Sequence, residues 1–371
     1  MRKIVALLVL ITLMSCSQEQ PTLIRFELDK EGSYAIQFRE ADGTFSIMDS
    51  LDILGGDIFE VSFDTLQMIS FLPIQGELPV VHAVIGPNTG ELIVDSEGFI
   101  SGDEENNWLG VQRSMQIELI NLIDSLDVIK DSYTDSTTFE GLPALDSVFF
   151  NYADAYRARI LDSLESVPGR LSNIMTVYHR IGQNPVLDYT IDRKVLRRMN
   201  IELQRLAPNS KDALAFKMWI DEFEESYIFS LTVEENAEKF LPGHPFPELT
   251  LESPQGESIQ LKRMSLDNHV VAIWASWCEE CRNDLRSIAK NQNMDNWILL
   301  SLDGVPQQRS PIGEWYSAIN QDGLGGSHLS DLKGGRSIIT ERLGVQEMPL
   351  YFKVEGGLIT VRSNQISAVL N

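Results

Sequence analysis

The 371-residue sequence is poor in cysteine, with three, and in histidine, with five. Three thiols exclude a scaffold stapled by several disulfides. A structural zinc centre wants four ligands; no second cysteine pair exists, and His269 and His328 lack finger-like spacing, so no metal site is expected. Basic residues are scarce too, 30 Lys and Arg against 54 Asp and Glu, for a net charge of −24. That imbalance argues against nucleic acid or anionic lipid as a partner and favours solubility. No internal repeat or low-complexity run is evident, and after the first residues no apolar stretch is long enough for a membrane helix.

What is present centres on Trp274-Ala-Ser-Trp277-Cys278-Glu279-Glu280-Cys281, which follows the unbroken apolar run Val270 to Ile273. A run that is apolar at every position predicts a strand covered on both faces, in the middle of a mostly parallel sheet. Two cysteines separated by two residues, where such a strand gives way to a helix, form a thiol-disulfide motif. At the helix start, unpaired N–H groups and the positive end of the dipole favour the Cys278 thiolate, while Cys281 lies one turn deeper. Cys278 is therefore the expected attacking sulfur and Cys281 the resolving one. A purely structural role is disfavoured, because so short a loop restrains little of the unfolded chain.

From about Pro242 onward the chain resembles the TlpA/ResA-like thioredoxins. The resemblance rests on Leu241 to Leu251 as a lead-in strand, Gly256 to Leu261 as a hairpin arm, and Trp274 to Cys281, which matches the Trp-Ala-x-Trp-Cys-x-x-Cys signature. It continues in Gly344 to Phe352 with the hairpin Gly356 to Val361. It implies that Pro349 is a cis-proline packed against the disulfide, and that Met348 offers backbone groups to a substrate chain. The family's buried acid six residues before the first cysteine is replaced by Ala272. Asp284, three after Cys281, falls where ResA-like members carry an acid, and would accept the resolving cysteine's proton. Arg286 stands where relatives kink the helix with proline, so a straighter helix is expected.

Glu279 and Glu280 flank the sulfurs beside Trp277. Carboxylates there support the helix N-terminus but disfavour a second negative charge on sulfur. A disfavoured thiolate destabilises the dithiol, which tilts the pair toward reductant; Arg282 opposes that tilt. Peroxidase chemistry is disfavoured, because Val271 and Ala275 occupy the offsets where peroxiredoxins place proline and a hydroxyl residue.

At the other end, Met1-Arg2-Lys3 followed by Ile4 to Met14 reads as a charged then apolar signal segment, too short to span a bilayer. Leu13-Met14-Ser15-Cys16 resembles a bacterial lipobox, which implies lipidation of Cys16 and tethering by acyl chains alone. Ser17 in place of aspartate favours the outer membrane over the inner. Residues 1–15 are thus an expected signal peptide.

Residues 16–102 alternate at period two, as in Ile24, Phe26, Leu28 and Tyr34, Ile36, Phe38, with a hairpin signal at Asp42-Gly43; a small antiparallel β domain is expected. Residues 103–236 shift to helical spacing, beginning with Met115, Leu119, Leu122, Leu126 and Ile129, and are expected to form a helical domain. The aromatics Phe149, Phe150, Tyr152, Tyr156 and Tyr178 are read as core rather than as a ligand groove, and His328 and Asp331 as loop residues without a catalytic role. Residues 237–371 complete the layout as an α/β thioredoxin fold, after the Pro242-Gly243 boundary.

Together these features predict an extracytoplasmic, lipid-anchored thiol-disulfide oxidoreductase on the periplasmic side of the envelope. It would work through a mixed disulfide on protein or small-molecule substrates, with the Cys278–Cys281 disulfide as its only redox group and a membrane electron donor or acceptor as partner. The competing expectation is a binding or sensing lipoprotein whose disulfide locks a conformation.

Overall fold

Alternating apolar residues at the start of the chain build paired strands. The computed structural model describes residues 21–53, 57–132, 142–262 and 266–370; Cys16 and the expected signal segment lie outside them. The chain divides into two compact units, with the division after Phe223.

In the first unit, β1 (Thr22–Phe26), β2 (Gly32–Arg39), β3 (Phe45–Ile53), β4 (Ile58–Val61), β5 (Gln67–Gln75), β6 (Val81–Ile85), β7 (Leu92–Val94) and β8 (Ile100–Ser101) form two four-stranded sheets, ordered β4-β1-β7-β8 and β3-β2-β5-β6. Ile24 and Phe26 of one sheet and Tyr34, Ile36, Ile69 and Phe71 of the other are fully buried. Phe26 meets Phe71 edge-on at 5.1 Å between ring centroids, so the two inner faces share one core. The expected antiparallel domain needs one correction: β1 pairs with β7 in parallel. These strands are far apart in sequence, and no hairpin turn sets their direction.

The expected break at residue 103 does not separate two bodies. The helical part comprises α1 (Glu104–Ser132), α2 (Leu142–Ser166), a 3-10 helix (Leu171–Tyr178), the short hairpin β9 (Arg180–Ile181) and β10 (Asn184–Pro185), α3 (Tyr189–Leu206) and α4 (Lys211–Lys239). Asn106 at the start of α1 accepts the Val84 N–H and donates to the Val84 carbonyl, both at 2.8 Å, occupying the edge of β6 as a strand partner would. Asp212 at the start of α4 accepts the Met68 N–H at 2.7 Å. Polar groups at both helix starts thus fasten helices to sheet. Among the aromatics read as core, Tyr156 is 4 % exposed but Phe150 and Tyr178 are 62 % and 50 % exposed.

Buried histidine makes the first unit acid-sensitive. His179 is 3 % exposed, and its Nδ1 pairs with the Tyr156 hydroxyl at 2.9 Å. Burial pushes its pKa down to about 4, with neighbouring His82 adding a smaller push. The folded ring stays neutral while the unfolded one takes a proton below about 6.5, so its stabilisation is complete above that pH and is lost as pH falls toward 4. Buried Asp212, raised to about 6, and Glu105, also raised by burial, act in the opposite sense. The expected outcome is that His179→Gln reduces the acid sensitivity between pH 7 and 5 by about 2 kcal/mol. Hydrogen-exchange protection of β5 and β6 amides at the two pH values reads this out; an unchanged pH dependence in the variant would refute it.

The second unit begins inside α4, so the expected boundary near Pro242 is also corrected. Asn236 donates to the Glu341 carbonyl at 2.7 Å, and Arg362 bridges the carbonyls of Ala237 and Gly344 at 3.1 and 2.8 Å. Gly344 is left-handed at φ 60°, and a Cβ there would stand 2.1 Å from the Ala237 nitrogen, so only glycine fits. The last turns of α4 therefore belong to this unit.

Here β11 (Leu249–Glu252), β12 (Ser258–Leu261), β13 (His269–Trp274), β14 (Trp297–Ser301), β15 (Ser327–Ser330), β16 (Leu350–Glu355) and β17 (Leu358–Ser363) form one sheet in the order β12-β11-β15-β14-β13-β16-β17. The strands β13, β14 and β15 are parallel, and β16 returns antiparallel beside β13. Side chains of β13 alternate between two cores: Val271 and Ile273 join Phe246, Ile339 and Phe352 on one face, and Val270, Ala272 and Trp274 join Leu285 and Trp315 on the other. That is why the run is apolar at every position. The helices α5 (Glu279–Asn291), α6 (Pro311–Asp322) and α7 (Ile338–Leu343) cover the sheet. Helix α5 runs unbroken through Arg286.

Candidate active site

The strand β13 ends at Trp274, and four residues later Cys278 caps α5 with extended backbone, φ −83° and ψ 99°. Its Sγ accepts the Cys281 N–H at 3.3 Å, so the helix N-terminus directs a donor at this sulfur. The two cysteines form a disulfide with Cα atoms 5.3 Å apart. Cys278 is half-buried, whereas Cys281 is completely buried among Leu285, Trp274 and Tyr351. One sulfur is within reach of another molecule and the other is not.

The Met348–Pro349 peptide bond is cis. In the register of β16 on β13, Leu350 lies opposite Ile273, which puts Pro349 one step further toward the cysteine loop. Pro349 is buried and its carbonyl accepts from Asn364 at 2.7 Å. Met348 and Cys278 pack against the same core cluster that contains Cys281. Trp277, beside Cys278, is 48 % exposed, and Glu279 and Glu280 are exposed in the first helical turn.

Two charged groups have different partners from those expected. Asp284 accepts the Tyr351 hydroxyl at 2.9 Å, a bond from α5 to the strand that follows Pro349. Burial and the Asp284 carboxylate both hold Tyr351 protonated, well above the ordinary phenol range. Arg282 is bound bidentately by Asp322, with Nε–Oδ2 at 2.6 Å and Nη2–Oδ1 at 3.0 Å, and this raises its pKa. Asp322 is shared with Arg286, whose Nε lies 3.5 Å from Oδ1, and Arg282 also feels the Glu279 charge. His328 and Asp331 have structural roles: the His328 ring pairs with the Leu324 carbonyl, and Asp331 accepts from the Lys333 and Ile338 amides.

The residue that sequence reasoning missed is Asp303, two positions after the end of β14 and completely buried. Its carboxylate accepts the Ser276 N–H at 3.0 Å, the hydroxyls of Ser276 and Ser301, and the Gln308 amide. Ser276 lies two residues before Cys278, and its own carbonyl is near Arg282 Nη1. The available signal was the Ser301-Leu302-Asp303 sequence at the carboxyl end of a buried parallel strand, where α/β sheets collect functional groups. Among the described residues no cluster of His, Cys, Asp or Glu is arranged to hold a metal, and no helix is long and apolar enough to cross a membrane.

No protein-family model and no curated protein matches the chain. Solved structures similar to it include a thiol-disulfide oxidoreductase from Bacteroides fragilis, 23% identical over 34% of this chain and 94% of that one, with a TM-score of 0.28. Another is the thioredoxin domain of a thiol-disulfide oxidoreductase from Bacteroides vulgatus, 17% identical over 34% and 91%, TM-score 0.29. A third is a thio-disulfide isomerase from Thermus thermophilus, 20% identical over 35% and 92%, TM-score 0.26. Each likeness spans about a third of this chain.

Proposed function

We propose that the protein is an extracytoplasmic thiol-disulfide oxidoreductase that works as a reductant through Cys278 and Cys281. The observation that carries the thiol-disulfide exchange is the asymmetry of the pair: Cys278 is accessible at a helix N-terminus with a donor directed at its sulfur, and Cys281 is sealed beneath it. The reducing direction rests instead on Glu279 and Glu280.

In the reduced protein, the Cys278 thiolate attacks one sulfur of a substrate disulfide. A new S–S bond forms to that sulfur, and the other substrate sulfur leaves as a thiolate that takes up a proton. Cys281 then loses its proton and attacks Cys278, which re-forms the 278–281 disulfide and releases the substrate as a dithiol. Two electrons have passed from the protein to the substrate, and a membrane electron donor must return them. Asp284 serves as proton acceptor for Cys281 in this scheme, with Tyr351 orienting its carboxylate. Met348 presents backbone groups to the substrate chain beside Pro349. Glu279 and Glu280, both exposed in the first turn of α5, disfavour thiolate, which supports the reducing direction.

The same proposal takes residues 1–15 as a signal peptide, Cys16 as the lipidated residue holding the chain to the outer membrane, and residues 237–371 as the thioredoxin-like part. The test is the equilibrium potential of the Cys278/Cys281 pair, titrated against glutathione and dithiothreitol with alkylation as readout. A value near about −270 mV is expected, and one near about −120 mV would reverse the direction of electron flow.

A further inference from the structure

The first unit holds a cavity of about 350 Å³ that the redox chemistry does not use. Arg39, the last residue of β2, lines it, and its cross-strand neighbour is Phe45. The guanidinium carbon lies 4.6 Å from the Phe45 ring centroid and 5.3 Å from that of Tyr178. Both rings line the cavity and are half exposed, at 53 % and 50 %. The arginine side chain itself is only 17 % exposed. Two aromatic neighbours thus restrict a planar cation largely out of water, which is how an arginine is prepared to bind an anion through both arms of its fork.

Among the described residues the fork is not filled. Nε is 3.7 Å from Asp212 Oδ1, which is an ion pair but too long for a hydrogen bond. The other Asp212 oxygen is occupied by the Met68 N–H at 2.7 Å and the Gln67 amide at 3.0 Å. Among the described residues neither Nη atom has a hydrogen-bond partner. The remaining walls include Met68, Leu72 and Met175, and the polar pair Ser70 and His82 bond to each other at 2.8 Å. An apolar chamber with one available guanidinium fork fits a ligand with an apolar body and a single carboxylate. The volume falls within the range of small-molecule sites, roughly 300–1,000 Å³. Asp212 adds a negative charge beside the fork, which disfavours a second anionic group on the ligand.

From this we infer that the cavity under Arg39 binds a small apolar monocarboxylate, with the guanidinium on the carboxylate and the apolar walls on its body. This function is independent of the thiol chemistry, and neither result bears on the other.

Calorimetric titration of the full chain with 4-phenylbutyrate and with its uncharged amide tests the inference. The acid binds saturably with one molecule per chain, and the amide is weaker by about tenfold or more, the cost of losing a charge-assisted pair. Arg39→Gln produces a similar loss with the Cys278/Cys281 potential unchanged, and Asp212→Asn tightens binding. Equal affinity for acid and amide would overturn the inference, as would undiminished binding by folded Arg39→Gln, weaker binding by folded Asp212→Asn, or no saturable binding at millimolar acid. Should either variant fail to fold, the acid and amide comparison on the unaltered chain still decides.

Discussion

Cys278→Ser reduces the catalysed reduction of insulin disulfides, with dithiothreitol as donor, to the uncatalysed background, a loss of about a thousandfold or more. Cys281→Ser has a different outcome: the protein accumulates as a mixed disulfide through Cys278. The difference follows from burial. Cys278 presents a half-buried sulfur, so the first exchange does not require Cys281. Cys281 is completely enclosed by Leu285, Trp274 and Tyr351, so its only accessible target is the bond that Cys278 has just formed. Neither change threatens the fold, because a disulfide closing so short a loop contributes only about 2 kcal/mol. Mass spectrometry of the trapped adduct after partial proteolysis identifies the bonded cysteine. Turnover by Cys278→Ser, or a mixed disulfide that accumulates on Cys281 in Cys278→Ser while none forms on Cys278 in Cys281→Ser, would sink the assignment of roles.

The elements that carry this chemistry were readable because their physics is local. Val270 to Ile273 is apolar throughout since β13 divides its side chains between two cores, and the helix after it begins at the first cysteine since that residue caps it. Pro311 and Gly323 mark the ends of α6 as their φ preferences require. What escaped the sequence was pairing over distance. Nothing within a few residues of Asp284 points to Tyr351, or near Arg282 to Asp322, so one was read as a free base and the other as a free cation. The division of the chain was misplaced for the same reason. Proline and glycine at 242 and 243 look like a linker, but Asn236 and the backbone near Ala237 are held by Glu341 and Arg362, about a hundred residues later. The pocket under Arg39 was likewise hidden, because Tyr178 reaches Arg39 only in three dimensions.

Asp303 joins long-range pairing to the active loop, and substituting it has the largest expected effect on stability. The chain from Ala275 to Cys278 lies between the end of a strand and the start of a helix, where backbone donors lose their regular partners. The Asp303 carboxylate supplies the missing acceptor for Ser276 and takes two hydroxyls and the Gln308 amide as well. Asp303→Ala leaves these buried donors without that acceptor, at about 1–3 kcal/mol for each one that finds no alternative. The hydroxyls can turn elsewhere, so the expected total is about 3–5 kcal/mol, in the range for breaking a buried charged network. Asp303→Asn keeps the volume but brings an NH2 group toward donors that already converge there, and loses about 2 kcal/mol or more. Urea unfolding measures both variants, and a double-mutant cycle with Ser276→Ala isolates the coupling, expected at about 1–2 kcal/mol. Because Ser276 precedes Cys278 by two residues, the alkylation rate of reduced Cys278 changes in both aspartate variants under conditions where they remain folded. Variants within about 1 kcal/mol of the parent, with unchanged alkylation, would show that the loop is held by something other than this carboxylate.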